Sequence, residues 1–254
     1  METFLKWRSS GLKNENGIIV GADISQEWLL PWWWTRYAQH NSMPVAFVDF
    51  GMSFQKKAWC KERGELIPLR VFADFVKEAS EIDPDTLRAW ERECGTHIWG
   101  CRAAWFKKPL AFLQTPFQTT LWLDLDCEIR GSVDPLLCHA DNPSGIGIAL
   151  DQHEWPPGVS YPMFNTGVVA FRRGAEAIIE WANRCIQESH LFIGDQEVFS
   201  HQINEKKIPV SEISPLYNWS RMREENREAL ILHWHGNHGK TVIRHQINVE
   251  ELPK

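Results

Sequence analysis

Apolar runs that break off at an acidic residue recur along this chain. Ile18, Ile19 and Val20 lead into Gly21, Ala22 and Asp23, the pattern of a buried strand that ends in a polar turn. Ser25 can then cap a helix reaching about His40, with Pro31 either kinking it or starting a second piece. MPVAFVDFGM (43–52) predicts a second strand that gives out at Asp49, SFQKKAWCKERG (53–64) a helix stopped by Gly64, and ELIPLR a weaker third strand. Strands and helices alternating in this way suit parallel βαβ units, so the expected fold is α/β. Residues 71–95 are charged and poor in strand signals, which predicts a helical excursion. A helix over His97–Gln114, interrupted at Pro109, precedes strands at LWLDLD (121–126), GIGIAL (145–150) and TGVVAFR (166–172). Residues 174–190 have helical periodicity, and beyond 200 the pattern turns irregular, with short strands near Pro209–Ile213 and Ala229–His233.

No internal repeat is visible, and 254 residues suit one large α/β domain. Apolar residues make up 43% and charged residues 24%, a composition able to build a core. The net charge is −6 and the 27 basic residues are scattered, which excludes a nucleic-acid partner bound through its phosphates. METFLKWRSSGLKN lacks the apolar centre of a signal peptide, and no apolar run is long enough to span a bilayer. A cytoplasmic location is therefore expected, with peripheral membrane contact left open. The cysteines at 60, 94, 101, 127, 138 and 185 form no CxxC pair, which points to buried free thiols. Of the 14 tryptophans, three stand together in PWWWTRY. Consecutive helical residues point in different directions, so this run predicts core packing rather than a flat platform for a sugar.

In LWLDLD the side chains of a strand would alternate, placing Leu121, Leu123 and Leu125 on one face and Trp122, Asp124 and Asp126 on the other. Two carboxylates would then share a face at the carboxyl end of a buried strand, where open α/β sheets bind ligands. A divalent cation that prefers oxygen and keeps positions for phosphate, Mg²⁺ or Mn²⁺, would relieve their repulsion. The competing reading is a solvent-facing turn, since Asp-x-Asp arises by chance in many chains.

Four segments, in order, resemble the GT-A glycosyltransferases, particularly the retaining family 8 group that includes the glycogenin-like and bacterial galactosyltransferase-like enzymes. They are LWLDLDCEIRGSVDPLL, FNTGVVAFRRG (164–174), GDQEVFSHQIN (194–204) and ILHWHGNHGK (231–240). The resemblance implies a Rossmann-like nucleotide-diphospho-sugar transferase fold, with a mostly parallel mixed sheet flanked by helices. Residues 15–130 would form its nucleotide-binding half and 131–254 its donor-sugar and acceptor half.

It also implies a metal-dependent transfer of a hexose from a nucleotide-diphosphate donor, UDP-linked by family, to a glycan, lipid or protein acceptor, with retention. Asp124, Asp126 and His233 would hold Mn²⁺ or Mg²⁺, and the first acid would also reach the ribose. Lys108, Gly236 and Lys240 would face the donor diphosphate, although the segment has one residue more than the family spacing between Gly236 and Lys240. Asn165, Asp195 and Gln196 match the residues around the donor sugar and the reacting face. Asp23 could read the base or ribose edge or be a turn acid, and Trp28 could stack on the base or belong to the core. His235 and His238 stay open as alternatives to His233. Apart from the resemblance, Asp151, His153, Glu154 and Trp155 stand in a loop that follows a strand, a place where acceptor specificity often lives, and nothing in the sequence singles out one of them.

Two other classes compete. One is a sugar-nucleotide-binding module without catalysis. The other is a phosphohydrolase of the haloacid-dehalogenase type, whose aspartate pair belongs to the first strand and is followed closely by Thr or Val; here Cys127 and Glu128 follow a mid-chain pair.

Overall fold

The computed structural model describes residues 15–71, 75–152 and 161–250. Strands β1 (Asn16–Ala22), β2 (Val45–Asp49) and β3 (Glu65–Pro68) run parallel, linked by helices α1 (Leu29–His40) and α2 (Phe54–Lys61). An excursion with a 3₁₀ turn at Ala79–Glu81, α3 (Pro84–Cys94) and α4 (Ile98–Phe112) leads to β4 (Thr119–Leu123), which pairs parallel with β1. The chain continues through β5 (Cys127–Ile129), β6 (Ile146–Leu150), β7 (Phe164–Arg172), α5 (Glu176–Glu188) and α6 (Asp195–Lys206). It then forms β8 (Ser211–Glu212), β9 (Trp219–Ser220), β10 (Ile231–His233) and α7 (Gly236–Glu250).

The seven-stranded sheet has the order β3-β2-β1-β4-β7-β6-β8. Only β7 runs against the others, pairing antiparallel with β4 and β6. A three-stranded sheet, β5-β10-β9, stands at the carboxyl end of β4. Alternation along the strands sends Ile18, Val20, Phe47, Leu121 and Leu123 to one face, where they meet Leu29, Trp33 and Tyr37 of α1. Ile19, Val48, Trp122, Val169 and Phe171 face the other way, onto Phe106 and Phe112 of α4, Trp181 of α5 and Phe199 of α6. Each such fully buried side chain contributes about 1.5–3 kcal/mol by leaving water, so both faces hold the sheet firmly.

Several expectations need correction. Helix α1 starts at Leu29, because Asp23 Oδ1 accepts from Ser25 N–H, Ser25 Oγ and Gln26 N–H and ties residues 23–26 into a turn. Pro31 thus falls in the first helical turn, where its missing N–H leaves no bond broken. Pro109 does not interrupt α4, since residues 108–112 are all buried and packing outweighs the lost bond. The region beyond 200 is more helical than its irregular pattern predicts: α6 runs to Lys206, and α7 occupies Gly236–Glu250.

The cysteines are all free, but only Cys60, Cys127 and Cys185 are buried, while Cys94 and Cys101 are half-buried and Cys138 is exposed. Trp32 and Trp33 are buried in the core, and Trp34 packs against Tyr37, Phe47 and Trp59. No helix among the described residues is long and apolar enough to cross a membrane.

Candidate active site

Strand β4 ends at Leu123, one residue before the aspartate pair. Asp124 N–H still donates to Gly167 O of β7 (2.8 Å), and Cys127 N–H closes a turn on Asp124 O (3.1 Å). The two acids therefore converge through a turn rather than through strand alternation. Leu125 stays in the core on the same side as Leu121 and Leu123. Behind the turn, β10 pairs antiparallel with β5 and sets His233 opposite Cys127.

Asp124, Asp126 and His233 each offer a ligand atom, all within 4.8 Å of one another. His233 Nε2 lies 3.3 Å from Asp126 Oδ1 and 3.9 Å from Asp124 Oδ2. Two carboxylates and one imidazole form an oxygen-rich set of the kind that Mn²⁺ accepts well and Mg²⁺ tolerates, so the residues fit such an ion. His235 turns elsewhere, its Nε2 lying 2.7 Å from Ser220 Oγ, and His238 is exposed on α7.

Room for the ring of His233 comes from Gly167. A Cβ there would stand 2.3 Å from His233 Cε1, so no larger residue fits without displacing the imidazole. Gly239 plays a similar part in α7, where a Cβ would strike Trp234 O at 1.7 Å. That close approach brings Lys240 to the site, with Nζ 3.2 Å from Asp126 Oδ2. The lysine and His233 outweigh the effect of burial and hold the Asp126 carboxyl well below its ordinary pKa.

Lys108, on the last turns of α4, is buried between two carboxylates. Its Nζ lies 3.2 Å from Asp124 Oδ1, 3.6 Å from Asp195 Oδ2 and 3.2 Å from Thr166 Oγ1. Burial alone would lower the lysine pKa, but Asp124 and Asp195 raise it above its usual value. Asp195 is the first residue of α6. Burial raises its pKa while Lys108 and the donating Thr166 hydroxyl (2.9 Å) oppose the shift. Thr166 owes its position to a register break in the pairing of β6 with β7, where Ile148 faces Val169 but Ala149 faces Asn165. Such a bulge re-aims the side chains it carries.

The segment entering α6 is held by Arg102 of α4. Its guanidinium donates to Ser189 O, Phe192 O and Ile193 O at 2.5–2.8 Å and stacks over Trp90, Trp99 and Phe106. Burial lowers the Arg102 pKa to about 10. Next to Asp195, the Gln196 amide spans two groups, donating to Asp151 Oδ2 (2.5 Å) and accepting from Thr166 N–H (3.3 Å). Asn165 Oδ1 accepts from Gly167 N–H and from Asn218 Nδ2.

Among the residues singled out in the sequence, Asp124, Asp126, Lys108, Asp195, His233 and Lys240 thus meet in one connected cluster, and Asn165 joins it through Asn218. Asp23 stands at the end of β1 with Oδ1 committed to its own turn, and Gly236 opens α7 with a φ of +79°. Trp28 packs partly against the core under Arg244. His153, Glu154 and Trp155 lie outside the described residues. Thr166 and Asn218 carry no signal of their own as site residues in the sequence: Thr166 stands inside FNTGVVAFRRG, and Asn218 in PLYNWS, a stretch with no pattern to mark it.

No protein-family model and no curated protein matches the sequence. The fold has clear counterparts among solved structures. A galactosyltransferase, LgtC, in complex with donor and acceptor sugar analogues superposes with a TM-score of 0.59 at 13% identity, over 92% of this chain and 94% of that one. Mouse xyloside xylosyltransferase 1 gives 0.52 at 14% identity, over 88% and 98%. The glycosyltransferase GlyE of Streptococcus pneumoniae gives 0.55 at 15%, over 89% and 55%. The fold is that of the GT-A glycosyltransferases.

Proposed function

We propose that this protein is a metal-dependent glycosyltransferase that moves a hexose from a UDP-linked donor to an acceptor hydroxyl with retention at the anomeric carbon. The observation that carries the proposal is the convergence of Asp124, Asp126 and His233 within 4.8 Å at the carboxyl end of β4, in a GT-A fold. In this reading the three residues hold Mn²⁺ or Mg²⁺. The bound ion would supply Lewis-acid neutralisation of the charge that develops on the leaving diphosphate.

The chain's own groups do the rest. Lys240 adds positive charge beside the diphosphate. Lys108 spends its donors on Asp124, Asp195 and Thr166, so it acts by keeping the two carboxylates in register rather than by gripping phosphate. Asn165 and Gln196 orient sugar hydroxyls through amides already fixed by Gly167 and Asp151. Asp195 stabilises positive charge at the anomeric carbon. In a front-face displacement the leaving phosphate takes the acceptor proton, so no protein base is needed. Were Asp195 a nucleophile instead, a glycosyl-enzyme would accumulate with a slow donor, and its absence in intact-protein mass spectrometry would exclude that route.

The deciding experiment is calorimetric titration with UDP, GDP, CDP and ADP, with Mn²⁺ present or chelated, on wild type and on Asp126→Ala. Selective binding of UDP that requires both metal and Asp126 is the expected result. Binding of no nucleotide under either condition would sink the proposal.

A further inference from the structure

An imidazole offers a lone pair to a cation on one nitrogen only when the other nitrogen holds the proton. Here a chain of bonds that starts at a backbone N–H decides which nitrogen that is. Gly167 N–H can only donate, and it points at Asn165 Oδ1 (2.9 Å), which fixes that atom as the amide oxygen. Asn218 Nδ2 lies 3.0 Å from the same oxygen and must donate to it. The remaining end of the Asn218 amide, Oδ1, is then an acceptor, and it lies 2.9 Å from His233 Nδ1. Nδ1 therefore carries the proton, and Nε2 is the nitrogen turned toward Asp126 and Asp124. Asn218 and His233 are each 4% exposed, so solvent does not supply a competing partner for this bond.

We infer that Asn218 is a positioning residue that selects the His233 tautomer, so that Nε2 is presented to the divalent cation. This rests on the metal-dependent reading above. Asn218 touches neither the cation position nor the reacting atoms, and it acts through His233. The same residue links the metal-holding histidine to Asn165, a residue assigned to the donor sugar, so ion and sugar positions share one hydrogen-bond chain.

The test is the Mn²⁺ affinity of the full chain without nucleotide, read from the free-ion electron paramagnetic resonance signal, in wild type, Asn218→Leu and Asn218→Asp. Leucine preserves volume but removes the acceptor, and about 10- to 100-fold weaker binding is expected. Aspartate keeps an acceptor facing Nδ1 but loses the donor to Asn165, so affinity within about threefold of wild type is expected if the tautomer is what matters. Equal weakening in both variants would mean that Asn218 only ties loop to strand, and unchanged binding in the leucine variant would equally overturn the inference.

A second readout does not depend on either variant folding. Long-range ¹H–¹⁵N spectra of the Zn²⁺-loaded wild type should show His233 protonated at Nδ1, and a proton on Nε2 would refute the assignment. Should wild type take up no Mn²⁺ at all, the metal-dependent reading falls and this inference with it, which differs from the case in which wild type and the leucine variant bind alike.

Discussion

Three side chains carry much of the electrostatic balance, and each makes a separate prediction. Lys108 is the buried cation between Asp124 and Asp195. Lys108→Met would leave both carboxylates without it, and a stability loss of about 3–5 kcal/mol is expected in urea unfolding. Lys240 holds Asp126 Oδ2 at 3.2 Å, on a carboxylate that the proposed divalent ion would share. Lys240→Met should therefore tighten Mn²⁺ binding when nucleotide is absent and weaken UDP binding when metal is present, a pair of opposite changes visible by calorimetry. Glu197, two residues past Asp195, is partly buried and accepts from Gly194 N–H. Burial pushes its pKa up from 4.5 to about 7, with the charge of Asp195 acting in the same direction. The folded protein then holds a proton that the unfolded chain releases, so stability falls as pH rises from about 4.5 to about 7. Glu197→Gln should be more stable than wild type at pH 8 by up to about 2 kcal/mol, with the difference vanishing below the lower end of that window.

At the scale of elements, what could be read from sequence followed the strength of the local pattern. The strands β1, β2, β4, β6 and β7 have uninterrupted apolar cores, and burial by the sheet reinforces what those residues prefer. Helix α7 was hidden because it opens with Gly236, Asn237, His238 and Gly239, all weak helix formers, and gains its place by packing Ile243 into the core. Strand β9 has two residues, too few for any periodicity to register, whereas the equally short β8 falls within the strand expected near Pro209–Ile213. The aspartate pair was legible as a shared face but not as a turn, because the chain leaves the strand at Leu123 by a hydrogen bond to β7 that sequence distance conceals. One helix end departs from its ordinary chemistry. Lys207, which ends α6, has φ 53° and ψ 46°, a left-handed conformation that usually selects glycine. Lys207→Gly should raise thermal stability by about 1 kcal/mol, measurable by calorimetric scanning without any change in nucleotide affinity.

Across the whole molecule, the site draws residues from the turn after β4 and from β7, α4, α6, β10 and α7, so ligand binding reports on the entire fold. UDP with Mn²⁺ at about 100 times its Kd should stabilise the folded state by about 2.7 kcal/mol. In a chain of this size that corresponds to a rise in Tm of about 5–10 °C, reversed by chelation and absent in Asp126→Ala. The same wiring gives the protein an optical handle. Trp122 donates from Nε1 to Asp124 Oδ1 at 2.6 Å and packs against Phe50 and Phe112, well inside the sheet. A cation drawing charge from that carboxylate would weaken the indole's hydrogen bond and change the field across its ring. Of the 14 tryptophans, Trp122 should therefore dominate any change in emission colour when the metal is titrated. Replacing it with phenylalanine should silence that signal while the remaining indoles keep glowing as before.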